Sequence, residues 1–255
     1  MPGAVFVWSG DGGNSLGGGD MAEYSSRNNF HVELKMLESD LVRLGGNAQD
    51  ALTNATWALK ERDLSLAREV FQDEEATNLL AERIDFQGFQ LIARNRPMGQ
   101  DLRIVSAVLH MAVDLERIAD YGVNIAKIAL EIGDAPFVKP LVDIPRMATR
   151  VREMIGGALC AFLGRDAAAA REICPLDDEV DDLEKRIIRD LIDLMTRDHR
   201  TIPQGTRLLL VARNLERAGD HATNLAERIL FMITGVAEKS CSLRRPLCEG
   251  PEEFC

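Results

Sequence analysis

The sequence predicts an all-α protein of two tandem antiparallel three-helix bundles, with six long helices and a pseudo-twofold internal repeat. Three observations predict it. Apolar residues recur at helical spacing over six long stretches, and little of the chain reads as strand. The composition is 46% apolar yet only 5% aromatic, and it is rich in Ala, Leu, Glu, Asp and Arg, which favours helix over strand. A motif in the third stretch returns in the sixth at a constant offset of 100 residues.

The first helix is expected over 30–60, where Leu34, Leu37, Leu41, Leu44, Ala48, Leu52 and Ala55 share one stripe. Gly45 and Gly46 weaken its middle and permit close packing. A polar break at 60–63 precedes the second helix, 64–93, which Pro97 ends because the residue before proline avoids the helical region. The third spans 99–132. Gly133, Asp134, Pro136 and Pro140 then form the clearest linker in the chain. The same order repeats. A fourth helix covers 144–163 and is closed by Gly164. A fifth covers 166–198, with Asp166 as N-cap and Pro175 as a kink or effective start. A sixth begins near Pro203 and ends near Gly235. Helices of about 30 residues are ~45 Å long, so two triplets make an elongated bundle.

The repeat carries the chemistry. Asp114-Leu115-Glu116-Arg117-Ile118-Ala119-Asp120 in the third helix corresponds to Asn214-Leu215-Glu216-Arg217-Ala218-Gly219-Asp220 in the sixth. Glu116 and Asp120 are four residues apart, as are Glu216 and Asp220, so each pair shares a helix face, and Asn124 and Asn224 extend each row. Two anions on an inward face repel each other and lose hydration, and such a pair is stabilised by a cation. Oxygen donors suit Mg²⁺, Mn²⁺ or iron. The second and fifth helices add acids at the same spacing: Glu74 and Asn78 align with Asp177 and Asp181, and antiparallel neighbours would bring them across a groove. The plainer reading is a solvated, ion-paired face with Arg117 and Arg217 as local partners.

The charge balance, 30 basic against 41 acidic residues for a net −11, disfavours nucleic acid and suits cations or a basic partner surface. No apolar run reaches the length of a membrane span, and the first residues lack the pattern of a secretory signal, so a cytoplasmic protein is expected. Met21 is a candidate alternative start. Residues 1–29 read as a Gly-rich disordered extension and 236–255 as a disordered tail holding Cys241, Cys248 and Cys255 in no metal-binding pattern. Cys160 and Cys174 read as small core residues. None of His31, His110, His199 and His221 has an acid three residues before it, which counts against a di-iron carboxylate enzyme. No phosphate-loop or dinucleotide motif is present.

The segment Arg96-Pro97-Met98-Gly99-Gln100-Asp101-Leu102-Arg103 leading into the first acidic motif, and Thr201-Ile202-Pro203 leading to the second, resemble the PhoU family over about 30–235. The resemblance implies two PhoU repeats, 30–135 and 141–235, in a homodimer. It implies metal sites of Fe, Zn, Mn or Mg at Glu74, Asn78, Glu116 and Asp120 and at Asp177, Asp181, Glu216 and Asp220, the first weakened by the neutral Asn78. It further implies a non-enzymatic regulator of phosphate homeostasis that restrains the phosphate ABC transporter and signalling through its two-component kinase, with the transporter ATPase and a sensor histidine kinase as partners. A helical di-metal carboxylate enzyme and a metal-free scaffold are the alternatives.

Overall fold

The structure, a computed structural model, describes the backbone of residues 18–237 and side chains from residue 29 onward. It contains α1 (Gly18–Glu61), α2 (Leu64–Asn95), α3 (Gln100–Ile132), α4 (Asp143–Gly164), α5 (Ala167–Arg171), α6 (Cys174–Arg197) and α7 (Ile202–Thr234), with one 3₁₀ turn, His199–Thr201, before α7. There is no strand among the described residues. Helices α1, α2 and α3 pack as one bundle, α4 to α7 as the other, and the two join where α3 lies against α7 and α1 against α4. The six-helix expectation therefore holds, with three local differences.

The first concerns α1, which begins at Gly18 rather than near Phe30. Residues 18–29, expected in an unstructured extension, are its first turns. Extending a helix that is already packed adds one hydrogen bond per residue without a new nucleation cost. Residues 1–17 and 238–255, with the three tail cysteines, lie outside the described residues.

The second difference is the fifth stretch, which splits into α5 and α6. Asp166 caps α5 as expected, accepting from the backbone N–H groups of Ala168 and Ala169 at 2.9 and 3.0 Å. Pro175 then occupies the first turn of α6, where its missing N–H costs nothing. Asp63 performs the same capping service for α2, accepting from Ser65 and Leu66, both at 3.0 Å.

The third is the end of α4. Arg165, not Gly164, takes the left-handed conformation, at φ 52°. A β-carbon is disfavoured there, but its guanidinium is held: it donates to the Phe162 carbonyl at 3.0 Å, stacks on the Phe162 ring and pairs with Glu38 of α1. The arginine thus stitches the two repeats where a glycine would only turn the chain.

The core is aliphatic and continuous through both bundles, with Leu41, Leu44, Ile84, Leu115, Ile118, Met147, Phe162, Leu215 and Leu225 all fully or almost fully buried. Gly45 permits the approach of α1 to α4, since a β-carbon there would stand 2.5 Å from Leu159 Cδ1. The linker is tied to α7 by Gln204, whose side chain accepts from Val138 N–H at 2.6 Å and donates to Pro136 O at 3.1 Å. Cys174 is buried and disulfide-bonded, so it is not the plain core residue expected, and Cys160 is exposed. No described helix is long and apolar enough to cross a membrane.

Two acidic grooves, one per repeat

Each repeat places its acids between the last two long helices, at different depths. In the first repeat, a groove of about 300 Å³ opens between α1, α2 and α3. Glu74 and Asn78 from α2 and Asp120 from α3 line it, as the spacing predicts. Glu116 does not line it. It lies one turn away, half-buried, and its carboxyl is pushed above the ordinary value by burial and then by Asp120, against the opposing charge of Arg117, with Glu82 adding to the rise. Asp120 accepts from Arg117 Nη1 at 3.3 Å, the local ion pair of the plainer reading.

The same groove holds residues that the sequence analysis missed. Asn47, Asp50 and Asn54 of α1 line its opposite wall. Asn47 donates to Thr77 Oγ1 at 3.3 Å, and Thr77 in turn donates to the Asp73 carbonyl at 3.0 Å. The signal was present: polar residues at positions 47, 50 and 54 recur at helical spacing on one face of α1.

In the second repeat, α6 and α7 press together and bury the acids. Asp177 is 8% exposed and Glu216 is 7% exposed. The close approach of α6 to α7 follows from Gly219. A β-carbon there would stand 3.3 Å from Asp177 Oδ1 and 3.4 Å from Val180, so glycine lets α6 settle onto α7. Asp181, Asp220 and Glu184 all act on Glu216. Its pKa rises to about 7, first because burial removes water from the carboxylate, then because Asp220 lies nearby. Arg213 opposes the rise. It reaches Glu216 Oε1 at 3.0 Å and Glu184 Oε1 at 3.4 Å. Arg213, three residues before Glu216, shares its face and reaches it, whereas the expected partner, Arg217, follows Glu216 directly and does not share that face. Glu216 Oε2 is buried with no hydrogen-bond partner.

Asn224 leaves the expected acidic row. It donates to Asp114 Oδ1 at 3.3 Å across the seam between repeats. His221 joins it there, with Nδ1 2.7 Å from Asp114 Oδ1 and Nε2 3.4 Å from the Tyr121 hydroxyl. That histidine therefore serves the contact between α3 and α7.

The chemistry of both grooves is that of hard oxygen donors, suited to Mg²⁺, Mn²⁺ or iron. The orphaned Glu216 oxygen, on a carboxylate acted on by Asp220, Glu184 and Asp181 and offset by Arg213 alone among the cations acting on it, fits a cation in the second repeat. Among the described residues, no three His, Cys, Asp or Glu side chains converge into a formed metal cage.

Known proteins share this architecture. The sequence matches the family model of the PhoU domain twice, over 41–129 and 144–229, one match per repeat. It is 31% identical over 223 residues to a phosphate-specific transport system accessory protein PhoU homolog of Pseudomonas putida, covering 86% of each chain. It is 38% identical over 216 residues to the homolog of Caulobacter vibrioides, covering 84% of this chain and 94% of that protein. The crystal structure of PhoU from Pseudomonas aeruginosa superposes with a TM-score of 0.78 at 30% identity, over 81% of this chain and all of the other. Two matched domains, a shared fold and near full-length identity above 30% agree, and the chain belongs to the PhoU family.

Proposed function

We infer that this chain is a non-enzymatic accessory regulator of phosphate homeostasis, acting as a homodimer in the cytoplasm. It restrains the phosphate ABC transporter and damps signalling through the associated two-component kinase. The observation that carries the reading is its match, along most of both chains, to proteins named as accessory to phosphate-specific transport. An adaptor with two acidic grooves suits a basic partner surface, such as one on the transporter ATPase or the sensor kinase.

Metal binding is the finer part of this reading. Asp177, Asp181, Glu216 and Asp220 would hold an ion in the second groove, with the unpaired Glu216 oxygen as supporting evidence. Glu74, Asn78, Glu116 and Asp120 would form the first site, with fewer charges and with Asp120 already paired to Arg117. A bound Mg²⁺, Mn²⁺, zinc or iron ion would supply charge neutralisation. The protein's side chains then hold α6 against α7 without mutual repulsion and present a fixed surface to the partner. For the first groove, the Arg117 pair favours a second reading as a metal-free scaffold.

Metal analysis of untagged protein purified without chelator tests the finer part. Stoichiometric metal is expected, with most of it lost in Glu216→Gln and less in Glu116→Gln. Metal-free protein in every sample would remove metal from the reading. Capture of the transporter ATPase by immobilised protein tests the regulator itself, and no capture of either the ATPase or the kinase would overturn it.

A further inference from the structure

We propose that the groove between α1 and α4 is an oxyanion site, in which a tetrahedral anion such as inorganic phosphate bridges Lys60 of the first repeat and Arg152 of the second. The groove has a volume of about 140 Å³, and its chemistry is the reverse of the acidic grooves. Thr53, Thr56, Trp57, Lys60, Thr149 and Arg152 line it, with Pro145 and Ala148 and without a carboxylate, in a chain of net charge −11.

Three features make it a receptor for an anion. Arg152 has no side-chain partner among the described residues. Only its backbone carbonyl is used, accepting from Gln49 Nε2 at 3.0 Å. A guanidinium presents a fork of donors that suits two oxygens of one anion. Lys60 sits 4.5 Å above the Trp57 ring, and its ion pair is with its exposed neighbour Glu61 at 3.1 Å, a contact that an incoming anion exchanges easily.

Thr56 is the third feature. It is 4% exposed, and its hydroxyl is buried with no hydrogen-bond partner. A helical threonine ordinarily returns its hydroxyl to the carbonyl four residues back. Thr149 on the facing wall does so, donating to Pro145 O at 3.0 Å. Thr56 does not, and as a lining residue of the groove it keeps an unused hydroxyl donor there.

Because α1 and α4 belong to different repeats, an anion held here ties the two bundles together, on a face of α1 other than the one that lines the first acidic groove. The choice of phosphate among oxyanions rests on the regulatory role inferred above, whereas the site itself rests on these side chains alone.

The chain has two tryptophans, Trp8 and Trp57, so Trp8→Phe leaves Trp57 as the sole reporter. Full-length protein carrying that change is titrated with sodium phosphate at constant ionic strength, with chloride as control, and Trp57 fluorescence is read. A saturable change with phosphate and none with chloride is expected. Lys60→Gln with Arg152→Gln, both in exposed positions, weakens the response about tenfold or more. Thr56→Val, of nearly the same shape, weakens it several-fold. No response to phosphate, or an undiminished one in the double variant, overturns the site. An equal response to sulfate upholds the oxyanion site and overturns phosphate as its selected ligand. Failure to capture a transporter or kinase leaves this titration unaffected, so the two inferences fail separately.

Discussion

The two acidic grooves are copies of one design with opposite solutions to the same electrostatic problem. In the first, Asp120 stays half-exposed in an open groove and pairs with Arg117. In the second, Glu216 and Asp177 are buried, and Arg213 enters to offset Glu216. The differences fall at equivalent positions: Ala119 against Gly219, Val113 against Arg213, Asn78 against Asp181. Removing one β-carbon at position 219 lets two helices close, and closing them strips water from the carboxylates. The added acid and the added arginine then act in a drier place, where each charge counts for more. Burial, not the motif, decides which copy is the stronger candidate for a cation.

The sharpest way to break this comparison is to refill the gap. Gly219→Val should destabilise the protein by about 2–3 kcal/mol through overpacking against Asp177 and Val180. Ala119→Val, in the open groove, should cost clearly less. Urea midpoints compare the two, and equal costs would mean that close helix approach does not distinguish the grooves.

The next effect is in pH. Glu216 has its folded pKa raised to about 7 from 4.5, so its contribution is fully present below pH 4.5 and is lost as pH rises through 7. The shift corresponds to about 3 kcal/mol at most. In metal-free protein, Glu216→Gln should therefore gain stability over wild type between pH 5 and 8, by about 1–2 kcal/mol once the lost Arg213 contact is counted. The gain should vanish at pH 4. A variant that loses stability across the whole range would show that the Arg213 pair outweighs the desolvation.

Glu116→Gln should show the same sign with a smaller amplitude, because its carboxyl is raised by the same causes in a more open place. Chemical unfolding at pH 5 and pH 8 measures it. The smallest effect belongs to the exposed Arg117–Asp120 pair: Arg117→Ala should change stability by no more than about 0.5 kcal/mol. Asn78→Asp sharpens the contrast from the other side, since an added carboxylate should raise the metal content of the first groove without altering the second.

The helices, their order, the repeat and the eight candidate residues follow from local rules. Periodicity marks the buried stripe, proline and capping aspartates mark the ends, and an offset of 100 pairs the motifs. Glu216 and Asp120 could be named from spacing alone because four residues return a helix to the same face. Other features depended on partners distant in the chain. Asn47, Asp50 and Asn54 belong to the first groove only because α1 crosses it. Asn224 left the acidic row because it donates to Asp114, 110 residues earlier, on the other repeat. Arg165 could replace a glycine because Glu38 waits on α1. Local sequence sets what each helix can present on each face. Which face meets water, another acid or a distant cation is set by how helices pack, and that packing gives the two copies of one motif different chemistry.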